Sequence, residues 1–333
     1  MRGSPEAKPR WLVSVCYTES MGAFLLDKWY FDAADENGRA AIVHAAVLRF
    51  GLINLHYGAV LASGSSNAVH IHHATIRAGD MPITSSRGTA WSCEALDLSI
   101  SCTPLDPHAP SAAQLPPPHR LLDRDDGFID WAPIHLRAAV DLRTPDFSIR
   151  GQGYAERLTM TLRPWDLPIN VMHWGRWIGA SASMVWLRWE GPMPKTLVLL
   201  NESEANAEFK QDLSNPAILG AAARSTDASL AGVRPGLITA HDATLSLADS
   251  RSLRDESLAD SLVSIIPGLR TWTPARMLAA RERRWLSRGT LTRPNAAPEH
   301  GWAIHEEVRF DGSSPDSGDV TRRANDSRRA GAP

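Results

Sequence analysis

The sequence predicts an all-β chain of sandwich or barrel type, and three observations predict it. In WYFDAADENGRAAIVHAAVLRF (29–50), Asn37-Gly38 separates two runs rich in aromatic and aliphatic residues. Asn-Gly readily takes the positive φ angles of a type I′ turn, so a β-hairpin is expected. In ALDLSISC (95–102), Leu96, Leu98, Ile100 and Cys102 alternate with Asp97, Ser99 and Ser101, the period of a half-buried strand. The third observation is an internal echo between KWYFDAADENGRAAIVHAAVLRFG (28–51) and HWGRWIGASASMVWLRWEG (173–191). Each begins with a Trp-bearing strand and turns through small or polar residues into a second strand closed by a bulky residue and Gly. Two such hairpins half a chain apart predict two related β units, with a boundary near 165–172 at WDLPINVM.

The remaining segments follow in order. HLRAAVDL (135–142) and AIHEEVRF (303–310) keep the strand period with more noise. DPHAPSAAQLPPPHRLLDRDDG (106–127) reads as a long Pro-rich loop. ESEANAEFKQDLSNPAILGAAARS (202–225) fits helix or strand, and TPARMLAARERR (273–284) has a Thr-Pro start and good helix formers. The first ten residues and the tail 311–333 lack the apolar area to offset their ordering entropy and read as disordered.

Composition narrows the function. The chain has 333 residues, 43% of them hydrophobic, and a formal net charge of −2, enough for two units with cores of their own. A near-neutral balance gives no electrostatic footprint for nucleic acid. Three cysteines (Cys16, Cys93, Cys102) in no metal-like spacing read as reduced thiols. MRGSPEAKPRW lacks the apolar core of a signal peptide, and no run is apolar enough to span a membrane, so a cytoplasmic protein is expected. There is no G-x-S-x-G elbow, Gly-rich phosphate loop or H-E-x-x-H, and no cofactor is expected.

The candidate chemistry centres on GQGYAERLTM (151–160). Tyr154, Glu156, Leu158 and Met160 share one strand face, which puts a carboxylate among apolar neighbours. If that face lines a barrel interior, desolvation raises the pKa of Glu156 and makes it a usable general acid. The competing reading puts Glu156 at a strand end beside solvent, or in an ion pair with Arg176 or Arg188. Trp29, Tyr30, Trp165, Trp174 and Trp186 belong to an aromatic set dense in the two hairpins. They serve either as ordinary core or as the wall of a pocket for an apolar ligand, whose π-faces can also stabilise a cation. In VHIHHATI (69–76), His70 and His72 share one face and His73 the other, but no third ligand is suitably spaced and no metal site is assigned.

WYFDA (29–33), WAPIHLRAAVDL (131–142), GQGYAE (151–156), HWGRW (173–177) and HEEVRF (305–310) occur in the order found in the carotenoid 1,2-hydratase (hydroxyneurosporene synthase) superfamily, which the chain resembles over most of 29–310. The resemblance implies two lipocalin-like β-barrel domains in tandem, 11–170 and 171–310, and strand rather than helix over 273–290. It also implies a cofactor-independent enzyme of hydratase or cyclase type that protonates an apolar isoprenoid- or polyketide-like substrate. Where those hydratases carry G-x-Y-x-D followed by Asn or His-Asn and then Trp/Arg-Gly, this chain has GYAERLTM: Tyr154 matches, Glu156 replaces the Asp, and the polar remainder is gone. Tyr154 and Glu156 are thus the expected catalytic pair. Trp29, Tyr30, Asp32, His73, Trp165, His173, Trp174 and Trp186 are the expected ligand-binding set, with Trp29, Trp174 and Tyr154 facing a common cavity. The expected partner is a small lipophilic molecule, loaded through peripheral membrane contact. The rival is a non-catalytic protein that binds a small hydrophobic ligand in the same cavity.

Overall fold

The computed structural model describes residues 24–64, 69–105, 117–201, 203–205, 207–211, 236–258 and 273–310. The expected disordered ends, and parts of the 106–127 and 202–225 segments, lie outside these residues. Ten strands make the first sheet: β1 (Leu25–Ala34), β2 (Ala40–Phe50), β3 (Ile53–Ser63), β4 (Val69–Thr75), β5 (Ile83–Ser85), β6 (Gly88–Cys93), β7 (Leu98–Pro104), β8 (His119–Arg124), β9 (Gly127–Arg143) and β10 (Ser148–Met160). Their order is β4-β3-β2-β1-β10-β9-β7-β6-β5, with β8 also paired to β9. The second sheet holds β11 (Val171–Gly179), β12 (Ser183–Glu190), β13 (Lys195–Leu200), β14 (Ser203–Glu204), β15 (Ala207–Gln211), β16 (Gly236–Ala240), β17 (Ala243–Ser257), β18 (Arg281–Thr292) and β19 (Glu299–Arg309). Its order, β14-β13-β12-β11-β19-β18-β17-β16-β15, repeats the plan of the first. In each, the opening strand lies between its hairpin partner and the last strand of the same sheet. This is the expected all-β architecture of two lipocalin-like halves in tandem.

Four local expectations need correction. The β1–β2 hairpin forms, but not through a type I′ turn. Gly38 alone of the Asn-Gly pair has positive φ, at +74°. The Gly38 N–H donates to the Asp35 carbonyl and the Asp35 N–H to the Arg39 carbonyl, a three-residue loop with glycine in the left-handed position. The Asp35 carboxylate accepts from the backbone N–H groups of Asn37 and Arg39, and this capping selects the longer loop. Second, the Pro-rich segment is not loop throughout, because 119–124 is strand β8. Third, 273–290 is neither all helix nor all strand. Ala275–Ala279 forms a short helix, α1, and Arg281 starts β18. Helix propensity wins where no neighbouring strand offers a ladder, and the ladders with β17 and β19 win after it. In ALDLSISC, likewise, only residues from Leu98 join the ladder; 94–96 form a 3-10 turn.

Apolar side chains gather in three layers. One lies inside the first sheet, around Trp29, Phe31, Val43, Trp91 and Ile100. One lies inside the second, around Trp177, Met184, Trp186 and Leu245. The third lies between the sheets and takes Tyr30, Ile42, Tyr154 and Met160 from one, with Trp174, Leu187, Leu286 and Ile304 from the other. Both faces of the central strands are therefore buried, which is why β1 and β11 read as nearly continuous runs of large residues.

Candidate functional site

The layer between the sheets carries the titratable groups. Because neighbours along a strand point to opposite faces, β1 sends Lys28, Tyr30 and Asp32 into this seam and Trp29 and Phe31 away from it. On β10, Tyr154 stands opposite Asp32 and Glu156 opposite Tyr30, while His44 of β2 flanks Tyr30 on its other side. Gly153 makes the close approach of β10 to β1 feasible. A Cβ there would sit 1.9 Å from the Asp32 carbonyl oxygen, which gives the G-x-G-Y motif a steric reason. Beside Ala155 the pairing with β9 is irregular, with extra β9 residues on both sides. Such bulges re-aim side chains, and Trp131 of β9 reaches Glu156.

Glu156 is the expected inward carboxylate, but it faces the seam and not a barrel interior. Its Oε2 accepts the Tyr154 hydroxyl proton at 2.7 Å and the Trp131 indole N–H. Among the described residues, no arginine is bonded to it. Burial pushes its pKa up to about 7, with the Trp131 and Tyr154 hydrogen bonds and the Lys28 charge pulling the other way. The phenol of Tyr154 is pushed well above its ordinary value by burial and by the Glu156 carboxylate, so it stays protonated and donates.

Arg176 pairs with Asp32 rather than with Glu156. Its Nε is 2.8 Å and its Nη2 2.5 Å from Asp32 Oδ1, across the seam, and both residues are fully buried. The Tyr30 hydroxyl donates to the other carboxylate oxygen at 3.0 Å. Burial raises the Asp32 pKa, while Arg176 and Tyr30 oppose that rise.

The second sheet contributes a buried arginine held by two acids. Arg284 of β18 donates to Glu282 at 2.5 Å and to Glu306 of β19 at 2.7 Å, and its Nη1 lies 3.0 Å from His44 Nε2 across the seam. Arginine can only donate, so His44 Nε2 accepts and the ring proton sits on Nδ1. Burial drives the His44 pKa well below the ordinary value, helped by Lys28 and Arg284, which keeps the ring neutral. Burial alone would raise Glu282, but Arg284, Arg254 and Lys28 together hold it below its ordinary value. Tyr30, Tyr154 and Trp174 complete the site as an aromatic triangle, with ring centroids 4.9–6.2 Å apart.

Of the expected residues, Tyr30, Asp32, Tyr154, Glu156 and Trp174 thus meet in the seam. The others do not. Trp29 packs inside the first sheet, stacked on Phe31, so it cannot share a cavity with Trp174 and Tyr154. Trp186 packs inside the second sheet. His173 points away from Trp174, toward Glu190 (3.3 Å) and Glu307 (3.8 Å). His73 is exposed on β4, which is an edge strand of its sheet. Trp165 lies in the connection between the sheets, edge-on to Phe24 and Phe50. Sequence reasoning missed Lys28, His44, Trp131, Glu282, Arg284 and Glu306. A strand-period signal was available for two of them, because Glu282 and Arg284 stand two apart before Trp285-Leu286, but local helix propensity masked it.

No family model matches the sequence, and no curated protein matches it. Solved structures do match by shape. The crystal structure of CghA aligns with a TM-score of 0.53 at 13% identity, over 87% of this chain and 90% of that one. CghA with Sch210972 aligns over the same shares at 0.50 and 13%. Kievitone hydratase from Nectria haematococca gives 0.48 at 9% identity, over 87% and 90%. At 13% identity, the likeness to CghA is one of fold, and it extends over both halves of the chain.

Proposed function

We propose that the chain is an acid–base enzyme of hydratase or cyclase type, acting in the seam on a small, largely apolar molecule of isoprenoid or polyketide kind, with Glu156 as proton donor. One observation carries the reading: a buried carboxyl bonded only to neutral donors, with a pKa of about 7, beside a wall of aromatic rings. Alkene protonation needs an acid that still carries its proton near neutral pH, and the raised pKa of Glu156 keeps that proton in place. The Glu156 proton would pass to one carbon of a C=C bond, leaving the cation on the other. The Tyr154 hydroxyl and Trp131 N–H stabilise the carboxylate that remains. Tyr30, Tyr154 and Trp174 present π-faces to the cation. Capture by water, whose proton returns to Glu156, completes a hydration. Capture by a second C=C of the same molecule, followed by proton loss to Glu156, completes a cyclisation. The CghA fold, also solved with Sch210972, supports this reading only as a shared scaffold.

The test is incubation with lipophilic extracts, followed by mass spectrometry of what is bound and what is changed, for the native chain and Glu156→Gln. Loss of the general acid typically lowers turnover ~10²–10⁴-fold, so product should vanish while ligand is still retained. Unchanged turnover in Glu156→Gln rejects Glu156 as donor. Ligand recovered unaltered from the native chain, at one per protein, makes the seam a binding site without chemistry.

A further inference from the structure

The seam holds more hydrogen-bond donors than it can satisfy. His44 Nδ1, which carries the ring proton, and Trp174 Nε1 are buried without a hydrogen-bond partner among the described residues. Lys28 and Tyr57 make no hydrogen bond to any described residue, although Lys28 lies within electrostatic reach of Glu156, Glu282, Glu306 and Arg284. Tyr57 packs against the same apolar layer and senses Glu282 and Arg284. Register keeps these groups close. Lys28 stands opposite Ala46 and Ala46 opposite Tyr57, two pairs along the ladders from Tyr30 and His44 and so on the same face. All four can donate, and three of them (ammonium, indole and the protonated ring nitrogen) can only donate. The carboxylates nearby are already engaged: Glu282 and Glu306 by Arg284, Glu156 by Tyr154 and Trp131.

We propose that the ligand of this seam carries an oxyanion, a carboxylate or an acidic enolate, on its apolar skeleton, and that Lys28 is its counter-ion. Unpaired buried donors such as His44 Nδ1 and Trp174 Nε1 are costly, and an oxyanion would supply an acceptor to them and to the half-buried Lys28 and Tyr57. A neutral hydrocarbon would leave the two buried donors, His44 Nδ1 and Trp174 Nε1, unpaired. The anion would also sit close to Glu156 and disfavour its ionisation, so that the bound ligand itself helps to hold the proton it receives. This inference rests on the seam being the ligand site, and it adds the charge of the ligand.

Dodecanoate and methyl dodecanoate share one chain and differ in the anion, so they separate charge from apolar burial. Their binding is read from quenching of tryptophan emission, to which Trp131 and Trp174 contribute. The native chain should bind dodecanoate ~10–100-fold more tightly than the ester, the range expected of a charge-assisted hydrogen bond. Lys28→Met should remove that preference while leaving ester binding within a few-fold, and Lys28→Arg should keep most of it. Circular dichroism and a thermal melt confirm that each variant is folded. Equal binding of acid and ester, or a preference that survives Lys28→Met, overturns the oxyanion while leaving Glu156 as donor untouched. Saturable binding of neither probe overturns both. A retained dodecanoate preference with normal turnover in Glu156→Gln overturns only the acid.

Discussion

The two sheets place a glutamate at the same point of the same plan and surround it differently. In the first, Glu156 of β10 stands opposite Tyr30 of the opening strand β1. In the second, Glu306 of β19 stands opposite Trp174 of the opening strand β11. The next strand out supplies Arg284 beside Glu306 but Pro133 beside Glu156, with Trp131 reaching in from its place opposite Leu158, two pairs along. Burial raises both carboxyls, and Arg284 opposes it at Glu306 through a 2.7 Å ion pair. At Glu156 the bonded partners are neutral. The fold decides that a carboxyl is buried here; the bonded partner decides whether it holds the sheets together or holds a proton. Asp32 and Arg176 add to the contrast. Each lies two residues after the aromatic residue of its opening strand, and these equivalent positions pair with each other across the seam.

The contrast can be broken by removing the cations. Arg176→Met leaves Asp32 buried without its ion, and loss of one partner of a buried pair costs about 3–5 kcal/mol. Urea unfolding should show that loss in full. Arg176→Met/Asp32→Asn should recover much of it, because an amide keeps the Tyr30 hydrogen bond without a charge.

A second test sets the two glutamates against each other. Glu306→Gln keeps an amide oxygen for Arg284 but removes the charge of that ion pair and leaves Glu282, so a loss of about 1–3 kcal/mol is expected. Glu156→Gln should be neutral or stabilising at pH 8, since it removes the need to bury a charge. The difference is itself pH-dependent. Glu156 has a folded pKa of about 7 against an ordinary 4.5, so the folded state binds the extra proton between these values. Its contribution is complete below pH 4.5 and is lost as pH rises through 7. The advantage of Glu156→Gln should therefore grow over that window, by on the order of 3 kcal/mol in total. Equal effects of the two substitutions at every pH would dissolve the contrast between the sheets.

The smallest change is Tyr154→Phe. It deletes one neutral donor to the carboxylate, so Glu156 should titrate higher still, by a unit or less. A pH–rate profile should show its alkaline limb displaced upward. Displacement downward would mean that Tyr154 does not serve the ionised form.

Period-2 alternation carried much of this. It placed Glu156 with Leu158 and Met160, although Trp29 and Tyr30, neighbours on opposite strand faces, both stand in the expected ligand-binding set. It could not say which face was the seam, because both faces of β1 and β11 are buried and both read as apolar. Trp29 and Trp186 were therefore assigned to a cavity that their strands turn away from. The hairpin at Asn37-Gly38 was legible, but its turn type depended on Asp35, whose carboxylate accepts two backbone N–H groups inside the loop. Arg284 and Glu282 were hidden for a different reason. Charges next to Ala and Arg look like the solvated side of a helix, and only pairing with β17 and β19 turns them inward.

The most direct measurement is the titration of Glu156 itself. Carbon-13 NMR of chains labelled at the glutamate side-chain carboxyl, with the resonance assigned by its absence in Glu156→Gln, follows the proton without any substrate. A midpoint near 7 is the expected result. A midpoint near the ordinary 4.5 would show a carboxylate already ionised at neutral pH, and Glu156 could not be the donor.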